Sequence, residues 1–151
     1  MFVKKLFVIL SVLAVATGPA LAQKKPAAKD PAKKAVAGVP AALLASGKSV
    51  YAQNCLTCHQ ADGGGVDGMN PPLTKTDYVL GDKTRLTNVL LNGLKGVEIG
   101  GEQYHGVMPA QATLTDAQIA AVLTYVRNSF GNKASAVTVG EVKAVRAGNN
   151  T

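Results

Sequence analysis

Cys55-Leu56-Thr57-Cys58-His59 is the stretch that decides the fold of this 151-residue chain. Two cysteines three positions apart can form thioethers with the two vinyl groups of one porphyrin, and the histidine that follows can bind the iron. The pattern C-x-x-C-H is therefore typical of c-type haem attachment. The chain has only two cysteines, and both lie in this motif.

Other uses of a cysteine pair fit the composition less well. A structural zinc site takes four ligands, and His105 is the only histidine outside the motif. An iron–sulfur cluster usually needs four thiolates, and a thioredoxin-like pair is expected beside a βαβ pattern, of which the sequence shows no sign. A disulfide at this spacing would close a very small loop and stabilise little.

The first 22 residues match a secretory signal. Lys4-Lys5 precede an apolar run from Leu6 to Ala16, and Ala20-Leu21-Ala22 fits a cleavage site after Ala22. The run of 11 residues is shorter than the roughly 20 that span a bilayer. We therefore expect cleavage and a periplasmic protein, with an uncleaved membrane anchor as the alternative.

Residues 23–41 are rich in lysine, alanine and proline, which predicts a flexible tether. It is either a solvated spacer or a basic arm that touches an acidic partner or a membrane surface. Its five lysines and one aspartate give it a charge of +4, and nine basic and eight acidic side chains remain for residues 35–151. The folded part is thus nearly neutral, so nucleic-acid binding is not favoured, and membrane contact is expected only transiently or through the tether.

The rest of the chain divides into one domain, 42–135, and a C-terminal extension, 136–151. Helical signals recur in it and strand signals do not. Residues 42–54 precede the motif as a helix, and Asp82 can cap a second helix that reaches about Leu91, with Gly93 as its stop.

Two further helices are expected towards the C-terminus. Thr115 and Gln118 form a capping box for an amphipathic helix that Gly131 ends. A last short helix is predicted from Glu141 to Ala147.

Glycines are concentrated between the expected helices. They are Gly63-Gly64-Gly65, Gly68, Gly93, Gly96, Gly100-Gly101 and Gly106. No G-x-x-x-x-G-K-[ST] context accompanies them, so a phosphate cradle is not indicated. We expect loops whose backbone approaches a flat cofactor closely.

A haem iron bound by His59 has a second face, for which the sequence offers Met108, His105, Met69 or no ligand. Met108 lies 49 residues after His59, in a predicted loop held by Pro109. Met69 is only ten residues from His59 and is expected near the proximal side. Spacing alone leaves ligation by His105, or an open site, as alternatives.

Residues 43–133 resemble a class I cytochrome c of the small, secreted bacterial type. Cys55, Cys58 and His59 match its haem motif. Pro71, 12 residues after His59, matches a proline whose carbonyl hydrogen-bonds the proximal histidine, and Leu73 matches a leucine that lines the haem.

Other matches concern helices and the distal loop. Gly47 and Tyr51 match the glycine and aromatic residue of the first helix, and Val122 and Tyr125 match the last helix, which crosses it. Met108-Pro109 matches the distal-ligand loop. The stretch from Gly100 to Asn132 is similar to cytochromes that partner quinoprotein sugar and alcohol dehydrogenases, and to cytochrome domains of oxidase subunits.

The resemblance implies an all-α fold, with three to five short helices wrapped around one covalently bound haem c and joined by Gly-rich loops. The iron ligands would be His59 and Met108, and Cys55, Cys58, Pro71 and Leu73 would complete the cofactor site. The implied function is one-electron transfer, not enzymatic catalysis, from a dehydrogenase donor to a respiratory acceptor. The alternative is a peroxidase-like haem enzyme or a gas sensor with an open or His-ligated distal site.

Overall fold

The computed structural model describes residues 38–149, which form six helices and one β-hairpin. The elements are α1 (Ala41–Asn54), α2 (Leu56–His59), α3 (Asp77–Leu80), α4 (Lys83–Asn92), β1 (Leu94–Ile99), β2 (Glu102–Met108), α5 (Asp116–Arg127) and α6 (Val139–Gly148). The predominantly helical class is confirmed. The structure has six helices where three to five were expected, and two of them, α2 and α3, are single turns. The predicted signal and the tether up to residue 37 lie outside the described residues.

The capping signals in the sequence place the helix starts. The Asp82 side chain accepts a hydrogen bond from the Arg85 N–H at 2.6 Å, and Gly93 is the C-cap of α4. Thr115 and Thr138 each begin a helix with a complete capping box. These boxes satisfy N–H groups that a helix start otherwise leaves without partners.

The end of α5 differs from the prediction, because the helix stops at Arg127 and not at Gly131. Phe130 adopts a positive φ of 57°, which takes its ring out of the helical path. The ring instead packs against Tyr51 and Tyr125, with centroids 5.3 and 5.8 Å away. A three-ring cluster of this kind offsets the strained backbone at Phe130.

Helices α1 and α5 pack directly on each other, as the resemblance implies. A Cβ atom on Gly47 would lie 2.6 Å from the Cβ of Tyr125 and would overlap the Ala121 carbonyl oxygen. Only glycine allows this close approach. Tyr51 and Tyr125 meet at the same crossing, with ring centroids 5.5 Å apart. The second helix of the pair is not the last one, however, since α6 follows it.

A β-hairpin stands where the sequence indicated only Gly-rich loops. Ile99 pairs with Glu102 and Leu94 with Met108, and Gly100-Gly101 form the two-residue turn with φ values of 64° and 84°. Positive φ at both turn positions is what a tight hairpin needs. Met108 is therefore the last residue of a strand and does not lie in a loop, contrary to the prediction from the sequence.

Helix α6 lies within the predicted C-terminal extension and packs on α4 and α5. Val142 is fully buried in the core cluster. Two ion pairs fasten the helix, Lys83–Glu141 at 2.9 Å and Arg146–Asp116 at 2.7 Å. No helix among residues 38–149 has the length and apolar character to cross a membrane.

Candidate haem site

The C-x-x-C-H motif forms a sharp turn between two helices. Helix α1 ends and α2 begins at Cys55, whose carbonyl oxygen accepts hydrogen bonds from the N–H groups of Cys58 (3.2 Å) and His59 (2.9 Å). This turn brings both thiols and the imidazole to the lining of one cleft. The two cysteines are not bonded to each other.

The hydrogen bond and the burial of His59 suit a metal ligand. Its Nδ1 lies 3.1 Å from the Pro71 carbonyl oxygen. A carbonyl only accepts hydrogen bonds, so Nδ1 carries the hydrogen and Nε2 keeps its lone pair. Burial lowers the pKa of His59, which favours the neutral imidazole that a metal needs. A backbone carbonyl on the second ring nitrogen is the usual way to orient a ligating histidine.

The cleft has about 960 Å³ of empty space when the open solvent at its mouth is included. Its lining is mostly aliphatic and comes from both sides of the motif in sequence. The lining residues are Asn54, Cys55, Cys58, His59, Pro71, Pro72, Leu73, Thr76, Tyr78, Val79, Leu86, Val89, Leu90, Leu94, Ile99, Met108, Pro109, Gln111, Leu114, Val122, Leu123 and Val126. Leu73 is one of these lining residues.

Met108 faces the cleft from β2. In β2 Met108 is half-buried, whereas His105 is exposed. Met108 lines the same cleft as His59, and His105 does not. Met69 is 52% exposed and lines only an adjoining cavity of about 410 Å³ under the hairpin.

The chain after Met108 is anchored to α4. The N–H of Gln111 donates to the Leu90 carbonyl oxygen at 2.7 Å. Gly93, with φ of 80°, lies so close that an added Cβ would be 2.5 Å from the Met108 carbonyl oxygen and 3.1 Å from the Ala110 nitrogen. The backbone of Met108 is therefore fixed from this side by contact with α4.

These residues fit a covalently held haem. Burial raises the pKa of Cys55 to about 11, with a further contribution from Cys58, so Cys55 is a neutral thiol of the kind that thioether formation consumes. The cleft walls are apolar, and one imidazole and one thioether sulfur face it. No cluster of three His, Cys, Asp or Glu side chains among residues 38–149 offers a metal site of another type.

Most of the cleft wall was not among the residues singled out from the sequence. Val79, Leu86, Leu90 and Ile99 are buried and line it. In the sequence they are ordinary apolar residues at helical or strand spacing, and such a pattern indicates burial without telling a core contact from a cofactor contact.

Comparison with known proteins gives one consistent family. The family model for cytochrome c matches residues 44–130. Cytochrome c-552 from Thermus thermophilus is 40% identical over 113 residues, which cover 68% of this chain and 86% of that protein.

Larger relatives contain a similar region. The cytochrome c subunit of the quinone alcohol dehydrogenase of Gluconacetobacter polyoxogenes is 36% identical over 103 residues, 66% of this chain and 22% of that subunit. The cbb3-type cytochrome c oxidase subunit CcoP of Azospirillum sp. is 39% identical over 101 residues, 62% and 31% of the respective lengths.

Proposed function

The chain belongs to the cytochrome c family, and from that premise we propose that it is a periplasmic one-electron carrier with His59 and Met108 as axial ligands. As a cytochrome c it binds haem c covalently and is an electron-transfer protein, not a catalytic enzyme. The haem supplies a one-electron iron couple. The residues of this chain determine which ligands the iron has and how an electron reaches it.

One observation carries the proposed ligation: His59 and Met108 line the same cleft, and the Pro71 carbonyl leaves Nε2 of His59 as the lone-pair nitrogen. Cys55 and Cys58 would hold the porphyrin edge through thioethers. Two protein ligands leave no position for a substrate, so such a site changes charge by one electron with little rearrangement. A methionine ligand favours the reduced state and raises the reduction potential.

The exposed apolar residues around the cleft support a docking surface for redox partners. Val107 is 62% and Met69 is 52% exposed, and both line the smaller cavity together with Cys58. Transient electron-transfer contacts are small, and a few apolar side chains beside the motif are enough for one. Electron transfer would thus occur at the edge formed by Cys58 and the hairpin.

We infer the location and the partners from the sequence of residues 1–22 and from the relatives. Residues 1–22 have the pattern of a secretory signal, and covalent haem attachment in bacteria follows export. Relatives include subunits of a quinone-dependent alcohol dehydrogenase and of an oxidase. We infer a dehydrogenase as donor and a respiratory oxidase or reductase as acceptor, with no stable membrane contact of the folded domain.

The visible spectrum of the ferric holoprotein tests the ligation. We expect a methionine-to-iron charge-transfer band in the wild type that Met108→Ala abolishes. Met69→Ala is the matched control and should retain the band, because Met69 lies outside the main cleft.

A peroxidase-like enzyme or a gas sensor would give a different result. A high-spin ferric spectrum in the wild type, with tight cyanide binding, would contradict the proposed ligation and indicate an open site. Loss of a low-spin spectrum in His105→Ala, with Met108→Ala unaffected, would instead identify His105 as the ligand.

A further inference from the structure

The side chain of Glu102 joins the hairpin to the segment that follows the haem motif. Its Oε1 accepts a hydrogen bond from the Gly68 N–H at 2.9 Å, across 34 positions in sequence. Its Oε2 accepts one from the hydroxyl of Tyr104 at 2.9 Å. One carboxylate at the start of β2 therefore holds both a loop and a buried aromatic residue of its own strand.

Two backbone hydrogen bonds continue this junction along β2. The N–H of His105 donates to the Gly68 carbonyl oxygen at 2.9 Å, and the N–H of Gly106 donates to the Met69 carbonyl oxygen at 2.8 Å. With the bond from Gly68 to Glu102, they attach the strand to residues 68–69 by three hydrogen bonds.

The two partners of this junction lead to the two proposed iron ligands. The loop that contains residues 68–69 begins at His59 and ends at Pro71, whose carbonyl holds the His59 ring. The strand ends at Met108, two residues beyond its last bond to the loop. The junction thus links the segment of the proximal histidine to the segment of the distal methionine.

We propose that Glu102 is a positioning residue that keeps Met108 in place for the iron, and this rests on Met108 being the distal ligand. Beyond Met108 the chain is held by α4 through Gln111. Before Met108 it is held by the pairing of β2 with β1 and by the Glu102 junction. Loss of the carboxylate leaves the strand attached on one side by backbone bonds alone, so the unligated position of Met108 becomes more populated.

An added ligand measures that population. Imidazole can bind ferric iron only when Met108 is displaced, so its apparent affinity rises by the factor by which the displaced state gains population. Hydrogen bonds to a charged group are stronger than neutral ones. We therefore expect ferric Glu102→Ala to bind imidazole about tenfold more tightly than the wild type. On heating, the charge-transfer band of Glu102→Ala should weaken at a lower temperature than the wild-type band.

Two milder variants separate the parts of the junction. Tyr104→Phe removes the phenol hydroxyl alone, and we expect it to raise imidazole affinity about threefold. Glu102→Gln retains one acceptor oxygen, and its imidazole affinity should lie between those of Glu102→Ala and the wild type. Both should keep the fold, because Glu102 is exposed and phenylalanine fills the space of the tyrosine ring.

Glu98→Ala is the matched control. Glu98 is an exposed carboxylate on β1 of the same hairpin, with no side-chain hydrogen bond to any of residues 38–149. Its variant should bind imidazole within about twofold of the wild type. A merely structural role of Glu102 would lower the unfolding midpoint of Glu102→Ala without changing imidazole affinity relative to Glu98→Ala. That result would overturn the inference.

The wild-type spectrum distinguishes this failure from failure of the proposed function. If the wild type has the charge-transfer band and Glu102→Ala matches Glu98→Ala, only the role of Glu102 is rejected. If the wild type lacks the band, or Met108→Ala binds imidazole no better than the wild type, the methionine ligation is rejected and the role of Glu102 with it.

Discussion

At the scale of single residues, Gly93 sets how closely the backbone of Met108 approaches helix α4. Its φ of 80° suits glycine, and a Cβ atom there would come within 2.5 Å of the Met108 carbonyl oxygen. Two costs would follow from a side chain at this position: a left-handed backbone that L-residues adopt reluctantly, and a contact that Met108 or Ala110 must move to relieve.

Gly93→Ala is therefore expected to lower the free energy of unfolding of the holoprotein by about 2–3 kcal/mol and to raise imidazole affinity by displacing Met108. Gly96→Ala is the control, because Gly96 has a φ of 61° but nothing within 4 Å of an added Cβ. It should cost about 1 kcal/mol and leave imidazole affinity unchanged. Equal effects of the two variants in guanidinium unfolding and imidazole titration would show that the contact with Met108 is unimportant.

At the scale of secondary-structure elements, the link between α4 and α6 depends on Glu141. Its carboxylate accepts hydrogen bonds from the Thr138 N–H at 2.7 Å and from Lys83 Nζ at 2.9 Å. These bonds hold the pKa of Glu141 at about 2, below its ordinary 4.5, with the Thr138 N–H as the larger cause. Lys83 also donates to the Ala136 carbonyl oxygen at 2.6 Å, so one ammonium joins α4 to the chain that enters α6.

The sign of the pH dependence follows from the lowered pKa. The ionised carboxylate stabilises the fold above about pH 4.5, and this contribution is lost as the pH falls towards 2. We expect Glu141→Gln to unfold at lower urea concentration than the wild type near neutral pH, and the difference to shrink between about pH 4.5 and pH 2. Because Glu141 is partly solvated, the effect should be modest. A difference that is the same at about pH 6 and pH 2.5 would contradict this account.

Elements set by neighbouring residues could be predicted from the sequence, and those set by distant contacts could not. The caps at Asp82 and Thr115 act within one helical turn, so their helices begin where expected. The hairpin was missed, although Gly100-Gly101 between Ile99 and Glu102 is a turn signal. Between the pairs Lys95–Val107 and Val97–Tyr104, β2 has one residue more than β1, and this bulge interrupts the alternation of β2. The end of α5 was misplaced because the Phe130 ring packs on a residue of α1, 79 positions earlier.

The same division holds within the site. The motif residues are adjacent in sequence, and their spacing alone identified them. The carbonyl of Pro71 was expected only through family resemblance, since any backbone carbonyl could bind His59. The role of Glu102 depends on Gly68, a residue 34 positions away, and no local pattern marks that pairing.

At the scale of the whole molecule, charge is unevenly divided along the chain. The full sequence has a formal charge of +7, whereas residues 35–151 contain nine basic and eight acidic side chains. The apolar residues Met69 and Val107 are exposed beside the cleft. We expect association at this surface to be driven by apolar contact, with little long-range electrostatic steering from the domain itself. Any salt dependence should then come mainly from the lysines of residues 23–34.

Electron self-exchange between ferric and ferrous copies tests this distribution of charge and needs no identified partner. With a protein that begins at Gln23 we expect the rate constant to rise between about 10 mM and 0.5 M salt, because the basic segments of two copies repel each other and salt screens the repulsion. Replacing all five lysines of residues 23–34 with glutamine should reduce this change to less than about twofold. Val107→Lys, which puts a charge on the apolar surface and leaves those lysines intact, should slow exchange about tenfold at high salt as well, where screening removes long-range repulsion. A steep salt dependence that persists in the five-glutamine variant would show that the folded domain itself steers association by charge.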